Sequence, residues 1–293
     1  MDWETQLITI YVTLSDLLDN ANLNPIVRLS NNYSKDMSDS EILSVYIYGI
    51  QQGLRNQKQI HRHTRNHLLA YFPGLLKYKQ FNRRLNQAAS QLAVILEQQT
   101  DNQIPDSMLL DSMPIVLSKN FKKERIRNCD LYADVGHCET KKMKYYGVKL
   151  HILAERQSDS LPYPVFIDIS PASMHDLPVF RQLYPNLADV DIYMDKAYRD
   201  NEMQWELLNN QLVNIFNPIK KEKNKELEYF DGIYNNLVSS VRQNIESFFA
   251  WIIEKTDIQD ASKVRSPGGI LLHVYGRMVA SLFLYQWKIC DNA

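Results

Sequence analysis

Apolar side chains recur at helical spacing through the first hundred residues. Intervals of three and four predict a first helix, with apolar positions at Trp3, Leu7, Ile10, Tyr11, Leu14, Leu17 and Leu18. A second helix is predicted to begin at Ser38, because Glu41 follows three residues later and each side chain can satisfy the other's free backbone donor. A third is predicted over about 77–98, with Arg83 and Arg84 off its apolar face. The first part of the chain is therefore predicted to be all-α.

A polar, basic segment separates the second predicted helix from the third. The string GLRNQKQIHRHTRNHLLAYFP predicts a short polar helix and a turn, and the region fits a helix-turn-helix-like DNA-binding module. Residues 55–84 include eight basic residues and no acidic one. A solvated helical surface is the alternative explanation, but so many like charges favour an anionic partner, of which nucleic acid is the commonest. The candidate DNA contacts are Arg55, Lys58, Arg62, Arg65, Arg83 and Arg84.

From residue 105 the pattern changes to short apolar runs that alternate with helical segments. These runs predict five strands, at 107–117, 145–154, 163–169, 191–194 and 213–218, with helices near 175–184, 199–210, 236–255 and 267–287. The first three strands can pair antiparallel because their connections include short turns. The basic stretch 119–144 is unpatterned, and it is either a DNA-contacting loop or a flexible excursion. We therefore predict an α/β fold, divided into a helical DNA-binding region, 1–104, and a catalytic domain, 105–293.

Composition narrows the functional classes. Apolar residues make up 45% and charged residues 23% of the 293 positions, which is ordinary globular usage. Three irregularly spaced cysteines predict neither a disulfide framework nor structural zinc, and they indicate a reducing cytoplasm. Polar residues, including His273 and Arg277, interrupt the apolar segment 270–290, so it is interpreted as a buried helix and no membrane role is predicted.

Three acids stand where a carboxylate is locally unfavourable. Asp111 interrupts the apolar run MLLDSMPIV, Asp195 ends the strand DIYMD, and Glu246 flanks the apolar face of a helix. Burial of a carboxylate costs free energy unless a cation or hydrogen bonds compensate it, and hard divalent ions such as Mg²⁺ prefer oxygen ligands. Arg242 precedes Glu246 by four residues; an ordinary surface salt bridge would give the same spacing.

Other polar residues have simpler explanations. Asp176, beside His175, is expected in the first turn of a helix rather than in catalysis. A zinc site built from Cys129, His137 and Cys138 lacks a fourth ligand at the usual spacing. Asp134 and Asp168 are weaker alternatives to Asp111 as the first acid. Tyr198 either packs in the core or touches DNA.

Five strings in order give the sequence a family resemblance. The strings DSMPI, YYGVKLH, SPASMHD, MDKAYRD and RQNIESFF resemble the DDE transposases of bacterial insertion sequences, most closely insertion-sequence family 982. The resemblance covers the chain from about residue 105 and extends more weakly to FPGLLKYKQFNRRL. It implies a ribonuclease-H-like catalytic domain with a mixed five-stranded sheet, with the first Asp on the first strand, the second after the fourth, and the Glu on a later helix.

The resemblance also implies roles for individual residues. Asp111, Asp195 and Glu246 would be the catalytic acids and would hold two Mg²⁺ ions, with Mn²⁺ as a substitute, while Arg242 would contact DNA at the transposon end. The implied reaction cleaves the ends of the element and joins them to target DNA. The implied partners are double-stranded DNA, as terminal inverted repeats and target, and a second copy of the chain, because two ends must be brought together.

Three positions depart from the wider related group. Ser239 and Ile253 stand where a tyrosine and a lysine are frequent, and Ala197 replaces the glycine that usually follows the second acid by two residues. A transposase-derived DNA-binding protein with a decayed site is therefore an alternative, although the intact acids count against it. A metal-dependent nuclease without joining activity is another.

Overall fold

The structure is a computed structural model that describes residues 2–21, 37–100, 105–119, 132–138, 142–158, 160–183, 187–220 and 228–292. Contacts divide the chain into two compact units, which we call the helical unit (1–99 and 252–293) and the sheet unit (100–251). The C-terminal residues thus pack with the helical unit, whereas the sequence-based division grouped them with the catalytic region. As a functional division, the boundary at 104/105 stays a prediction.

The described residues form helices at both ends of the chain and a sheet between them. In chain order the elements are α1 Trp3–Asn20, α2 Asp39–Gln51, α3 Gln57–His67, α4 Tyr78–Gln87, α5 Ala89–Thr100, β1 Ser107–Ser118, β2 Asp134–Cys138, β3 Met143–Glu155, β4 Tyr163–Pro171, α6 Asp176–Leu183, β5 Val190–Met194, a 3-10 turn Lys196–Tyr198, α7 Asn201–Gln211, β6 Val213–Phe216, α8 Tyr229–Thr256 and α9 Pro267–Asn292.

The helical unit is built around α2, which is buried along most of its length and packs against α1, α3, α4 and α9. The predicted capping box is confirmed: Ser38 accepts from the Glu41 amide, and the Glu41 side chain accepts from the Ser38 amide. Helices α2 and α9 meet at Gly276, where an added Cβ would lie 2.4 Å from the Tyr46 ring. Only glycine permits this close approach.

The predicted third helix is two helices. A single helix over 77–98 was expected, but the chain leaves α4 at Gln87 and begins α5 at Ala89. The Ala88 amide still donates to the Arg84 carbonyl, and the Gln91 amide donates to the Ala88 carbonyl in a tighter turn. The apolar period continues across this break, because Leu85, Leu92 and the intervening alanines are all buried.

The sheet unit holds one mixed sheet. Strand β1 pairs antiparallel with β3 and parallel with β5, β5 pairs parallel with β6, and β4 pairs antiparallel with β3. All five predicted strands and the α/β fold class are confirmed. A sixth strand, β2, was missed: it pairs with Met143–Gly147, the stretch of β3 that precedes the part paired with β4. Part of the unpatterned segment 119–144 is therefore a strand, while 120–131 and 139–141 lie outside the described residues.

The two C-terminal helices bury the apolar residues that predicted them. The spacing in α8 predicts a core-facing side at Val238, Val241, Ile245, Phe248 and Ile252; all of these are buried except Val241, which is partly buried. Helix α9 contains the one described segment long and apolar enough to cross a membrane by length and composition. Because 78% of its most apolar window is buried, this segment behaves as a core helix of the helical unit.

Candidate active site

The first two acids lie side by side because of the strand pairing. Asp111 is inside β1 and faces Ile152 of β3 in the register. On its other side β1 pairs with β5 in parallel, with Leu110 opposite Met194. Asp195 is the next residue after Met194, so the parallel register places it beside Asp111 at the carboxyl end of β5. Two carboxylates distant in sequence are therefore neighbours at one edge of the sheet.

Hydrogen bonds fix the turn that carries the second acid. Asp195 caps the 3-10 turn, and its Oδ1 accepts from the Lys196 amide at 2.8 Å. Asn217, which is buried after β6, donates through Nδ2 to the Asp195 carbonyl at 2.8 Å. Gln204 in turn donates to Asn217 Oδ1 at 2.6 Å. Asn217 is a supporting residue that the sequence analysis missed; its only signal is an amide at the end of an apolar strand.

Arg242 joins the two aspartates. Its guanidinium nitrogens lie 3.5 Å from Asp111 Oδ2 and 3.6 Å from Asp195 Oδ1, and its side chain is only 12% exposed. Glu246 follows one helical turn later and is exposed. Its charge acts on Asp111, so it belongs to the same electrostatic group. The structure thus brings Asp111 and Asp195 to one guanidinium, and Glu246 lies one turn further along the helix that carries it.

Burial dominates the chemistry of the first acid. The pKa of Asp111 is raised to about 6 from an ordinary 3.8, mainly by desolvation and to a smaller extent by the negative charges of Asp195 and Glu246. Arg242 and the Ser112 amide, which donates to Asp111 Oδ1 at 2.7 Å, act in the opposite direction. Because burial outweighs both, the negative charge of Asp111 is incompletely compensated by the protein itself.

The donor chemistry fits a hard divalent cation. Within the described ranges, no three His, Cys, Asp or Glu side chains are arranged around one common position for a metal ion. Instead, a guanidinium lies between the two aspartates. Carboxylate oxygens without thiolates suit Mg²⁺ or Mn²⁺, and an undercompensated buried carboxylate gains from such an ion. The chemistry of the two aspartates therefore suits such an ion, while in this structure the Arg242 guanidinium lies between them.

Family comparison agrees with this site. The transposase DDE domain family matches residues 102–265, more than half of the chain, and the match includes all three acids. The chain belongs to this family. Membership implies a DNA-acting enzyme of the nuclease and transferase type that uses divalent metal. No curated protein matches the sequence, and its assignment to insertion-sequence family 982 stays a prediction.

The transposase has a second polar group next to the site. Asp176, in the first turn of α6 as predicted, lies 2.9 Å from Lys149 Nζ and accepts from Ser112 Oγ at 3.3 Å. Lys149 also donates to the Met174 carbonyl at 2.8 Å. Ser112 links this ion pair to the first acid, because its amide donates to Asp111 while its hydroxyl donates to Asp176. Asp176 supports the strand beside Asp111, whereas His175 is exposed.

The remaining candidates have structural environments. Tyr198 packs: its ring is buried edge-on against Phe180, and burial raises the pKa of its hydroxyl well above the usual range. Burial also raises the pKa of Asp168 on β4. Asp134 is exposed at the start of β2 and accepts from Ser173 Oγ at 2.8 Å. Cys129, of the rejected zinc set, lies outside the described residues.

The six DNA contacts predicted between residues 55 and 84 belong to the helical unit of the transposase. Five of the six are exposed, namely Arg55, Lys58, Arg62, Arg65 and Arg83. Arg84 was expected off the apolar face of its helix, and this is wrong. It is 6% exposed, pairs with the buried Asp39 and donates to the Met37 carbonyl at 2.6 Å. Arg84 is a structural cation, because its charge already has a buried partner.

Proposed function

We propose that this transposase cuts the ends of a bacterial insertion sequence and joins them to target DNA, using one site for hydrolysis and transesterification. The observation that carries the proposal is the convergence of Asp111 and Asp195 on one guanidinium, with Glu246 one turn further along α8. Two aspartates that are far apart in sequence thus share one cation, and Glu246 adds a third negative charge from the helix that carries this cation. A purely structural role would not require the burial of Asp111, which has a free-energy cost.

The three acids would hold two divalent ions, Mg²⁺ or Mn²⁺. When bound, such ions activate the attacking oxygen and stabilise the leaving oxygen of an in-line displacement. Asp111 contributes a carboxylate that favours a cation because it is buried. The Asn217 bond to the Asp195 carbonyl holds the second carboxylate's backbone in place. Because such ligands are already held in position, less entropy is lost when the reacting groups are brought together.

Arg242 would exchange partners as DNA binds. Its contacts to the aspartates, at 3.5 and 3.6 Å, are longer than strong charge-assisted hydrogen bonds. Its Nε is buried without a hydrogen-bond partner within the described structure. Once another cation neutralises the aspartates, this guanidinium is free to pair with a phosphate, which it can contact through two nitrogens. We infer that Arg242 holds the end of the element next to the acids.

The partners would be double-stranded DNA, as terminal inverted repeats and as target, and a second copy of the chain in the bacterial cytoplasm. Exposed Arg55, Lys58, Arg62, Arg65 and Arg83 would supply contacts to the phosphate backbone from the helical unit. Such contacts position DNA without reading its sequence, and they weaken as salt increases.

The test uses purified protein, a labelled duplex carrying the inverted repeats that flank the gene, and Mg²⁺ or Mn²⁺. The wild type should nick the element end and form a joined product. Alanine at Asp111, Asp195 or Glu246 should abolish cleavage while end binding survives. The matched control is Asp134→Asn, which removes an exposed carboxylate from the same sheet and should cleave normally.

Each outcome separates the candidates. If any of the three alanine variants cleaves the element end as efficiently as the wild type does, the assignment of the acids is refuted. Binding of the ends without any nicking would point to a DNA-binding descendant with a decayed site. Nicking without joined product would point to a nuclease that lacks strand transfer.

A further inference from the structure

A cleft in the helical unit is lined by five basic side chains, and none of its described lining residues is acidic. This basic cleft has a volume of about 510 Å³ and lies where the chain enters α3 and α9. Its cations come from segments far apart in sequence: Arg55 and Lys58, then Lys263 and Arg265, and Arg277 within α9. Among the described residues that line it, none is Asp or Glu. A cavity of this size and charge fits an anionic ligand.

Two helix N-termini contribute to the same cleft. Asn56 caps α3 by accepting from the Gln59 amide, and Ser266 accepts from the Gly269 amide at the start of α9. Both residues line the cleft. Neither helix has an acidic residue in its first turn, so the positive ends of both helix dipoles remain uncompensated there. Backbone amides at such ends are suitable donors to phosphate.

A buried cation adds to the positive field. Arg277 is 4% exposed and donates to neutral oxygens: the Thr256 carbonyl at 2.9 Å, the Arg55 carbonyl at 3.0 Å and the Tyr46 hydroxyl at 3.3 Å. These bonds fix its position but do not cancel its charge. Arg55 does face a carboxylate, Asp257, at 3.5 Å, but its side chain is 75% exposed, so solvent screens that pair.

The basic surface continues beyond this cleft. A second cavity of about 530 Å³ shares Lys58 and Tyr78 with the first and is also lined by Arg62, Arg65 and Lys77. Its described lining contains no carboxylate either. We call the two cavities together the basic track. A mononucleotide would fill only one such cavity, whereas consecutive phosphates of a polynucleotide would contact both.

We propose that the basic track binds the phosphate backbone of double-stranded DNA, with Lys263 and Arg265 as contacts contributed by the segment before α9. That the anion is DNA rests on the proposed function. The two residues lie far from the basic stretch 55–84 in sequence, and only folding places them in the same cleft as Arg55 and Lys58. The DNA-binding surface is therefore assembled from both ends of the chain.

The test compares two lysines that differ in position and not in charge. Lys263 lines the basic track, whereas Lys79 is exposed in α4 and lines neither cavity. Binding of a short fluorescent duplex of arbitrary sequence is measured by anisotropy over a range of salt concentrations. For Lys263→Gln the slope of log K against log salt should fall in magnitude by about one, as expected for one lost phosphate contact. Lys79→Gln should keep the wild-type slope and affinity.

Charge reversal and a folding control make the comparison stricter. Lys263→Glu should bind the duplex more weakly than Lys263→Gln at every salt concentration, because repulsion is added to the lost contact. Unchanged thermal unfolding of these surface variants would show that the loss concerns binding. Arg265 is the less suitable target, because it also donates to the carbonyls of Ser262 and Val264 and so shapes its own loop.

Three results would overturn the proposal: a wild-type salt slope in Lys263→Gln, an equal loss in Lys79→Gln, or a mononucleotide or inorganic phosphate that competes with the duplex at similar concentration. Cleavage assays on the same preparations distinguish this failure from that of the proposed function. If the wild type cleaves DNA in an Asp111-dependent way but Lys263→Gln binds the duplex like the wild type, only the proposal of the basic track is refuted. If Lys263→Gln weakens binding but the wild type does not cleave DNA in Mg²⁺, only the proposed enzyme activity is refuted.

Discussion

Replacing Asp111 with asparagine should stabilise the metal-free protein while it destroys activity. Burial raises the pKa of this carboxyl from 3.8 to about 6, so the folded protein favours its neutral form. A shift of that size corresponds to roughly 3 kcal/mol, at about 1.4 kcal/mol per pKa unit. This is an upper limit, because the Asp111 side chain is 19% exposed. Asparagine resembles the neutral carboxyl in shape and carries no charge.

The pH dependence gives the sign of the effect. Between the ordinary pKa of 3.8 and about 6, the folded state binds more protons at Asp111 than the unfolded state does. Stability therefore falls as pH rises through this window, and the full cost is present above it. Asp111→Asn should match the wild type below the window and exceed it by up to about 3 kcal/mol near pH 8.

The assay is urea unfolding in the presence of a chelator, at pH values on either side of this window. Asp200→Asn serves as a control of opposite sign, because a hydrogen bond from Arg181 lowers the pKa of Asp200. This variant should be less stable than the wild type at neutral pH, and the difference should disappear in acid, where Asp200 of the wild type is protonated. Mg²⁺ should then stabilise the wild type but not Asp111→Asn. A metal-free Asp111→Asn that is less stable than the wild type near pH 8 would refute the reasoning.

Three further predictions concern an ion pair, two glycines and a helix cap. Lys149→Met leaves the Asp176 carboxylate without its ion-pair partner and should lower the free energy of unfolding, measured in urea, by about 3 kcal/mol. Apolar replacement of both residues should recover part of this loss, and no recovery would contradict the ion-pair argument. Gly147→Ala should destabilise the protein by more than about 1 kcal/mol, because the added Cβ would lie 2.0 Å from a backbone oxygen. Gly232→Ala, in α8 with open space around it, should stabilise the protein by about 0.5–1 kcal/mol. Equal effects of the two substitutions would contradict this reasoning. Ser38→Ala should cost about 1 kcal/mol by removing the cap of α2, and an unchanged thermal midpoint would count against it.

Local chemistry explains why some features could be predicted from the sequence. The capping box at Ser38 and the apolar period of α8 depend on residues three and four apart, which interact in any helix. The five predicted strands follow from apolar runs that must be buried. Asp111 attracted attention because a charge inside such a run is costly wherever the run folds.

Pairing between distant segments decided the rest. Strand β2 has little apolar pattern of its own, and it forms because Met143–Gly147 offers backbone groups that β4 does not reach. Arg84 faces inward because Asp39, far away in sequence, is buried beside it. The meeting of Asp111 with Asp195 depends on which strand lies next to β1, and the basic cleft depends on α9 packing with the N-terminal helices. The sequence thus determined which residues must be buried or capped, whereas only tertiary structure determined which charges became neighbours, because charges separated along the chain interact only after packing brings them together.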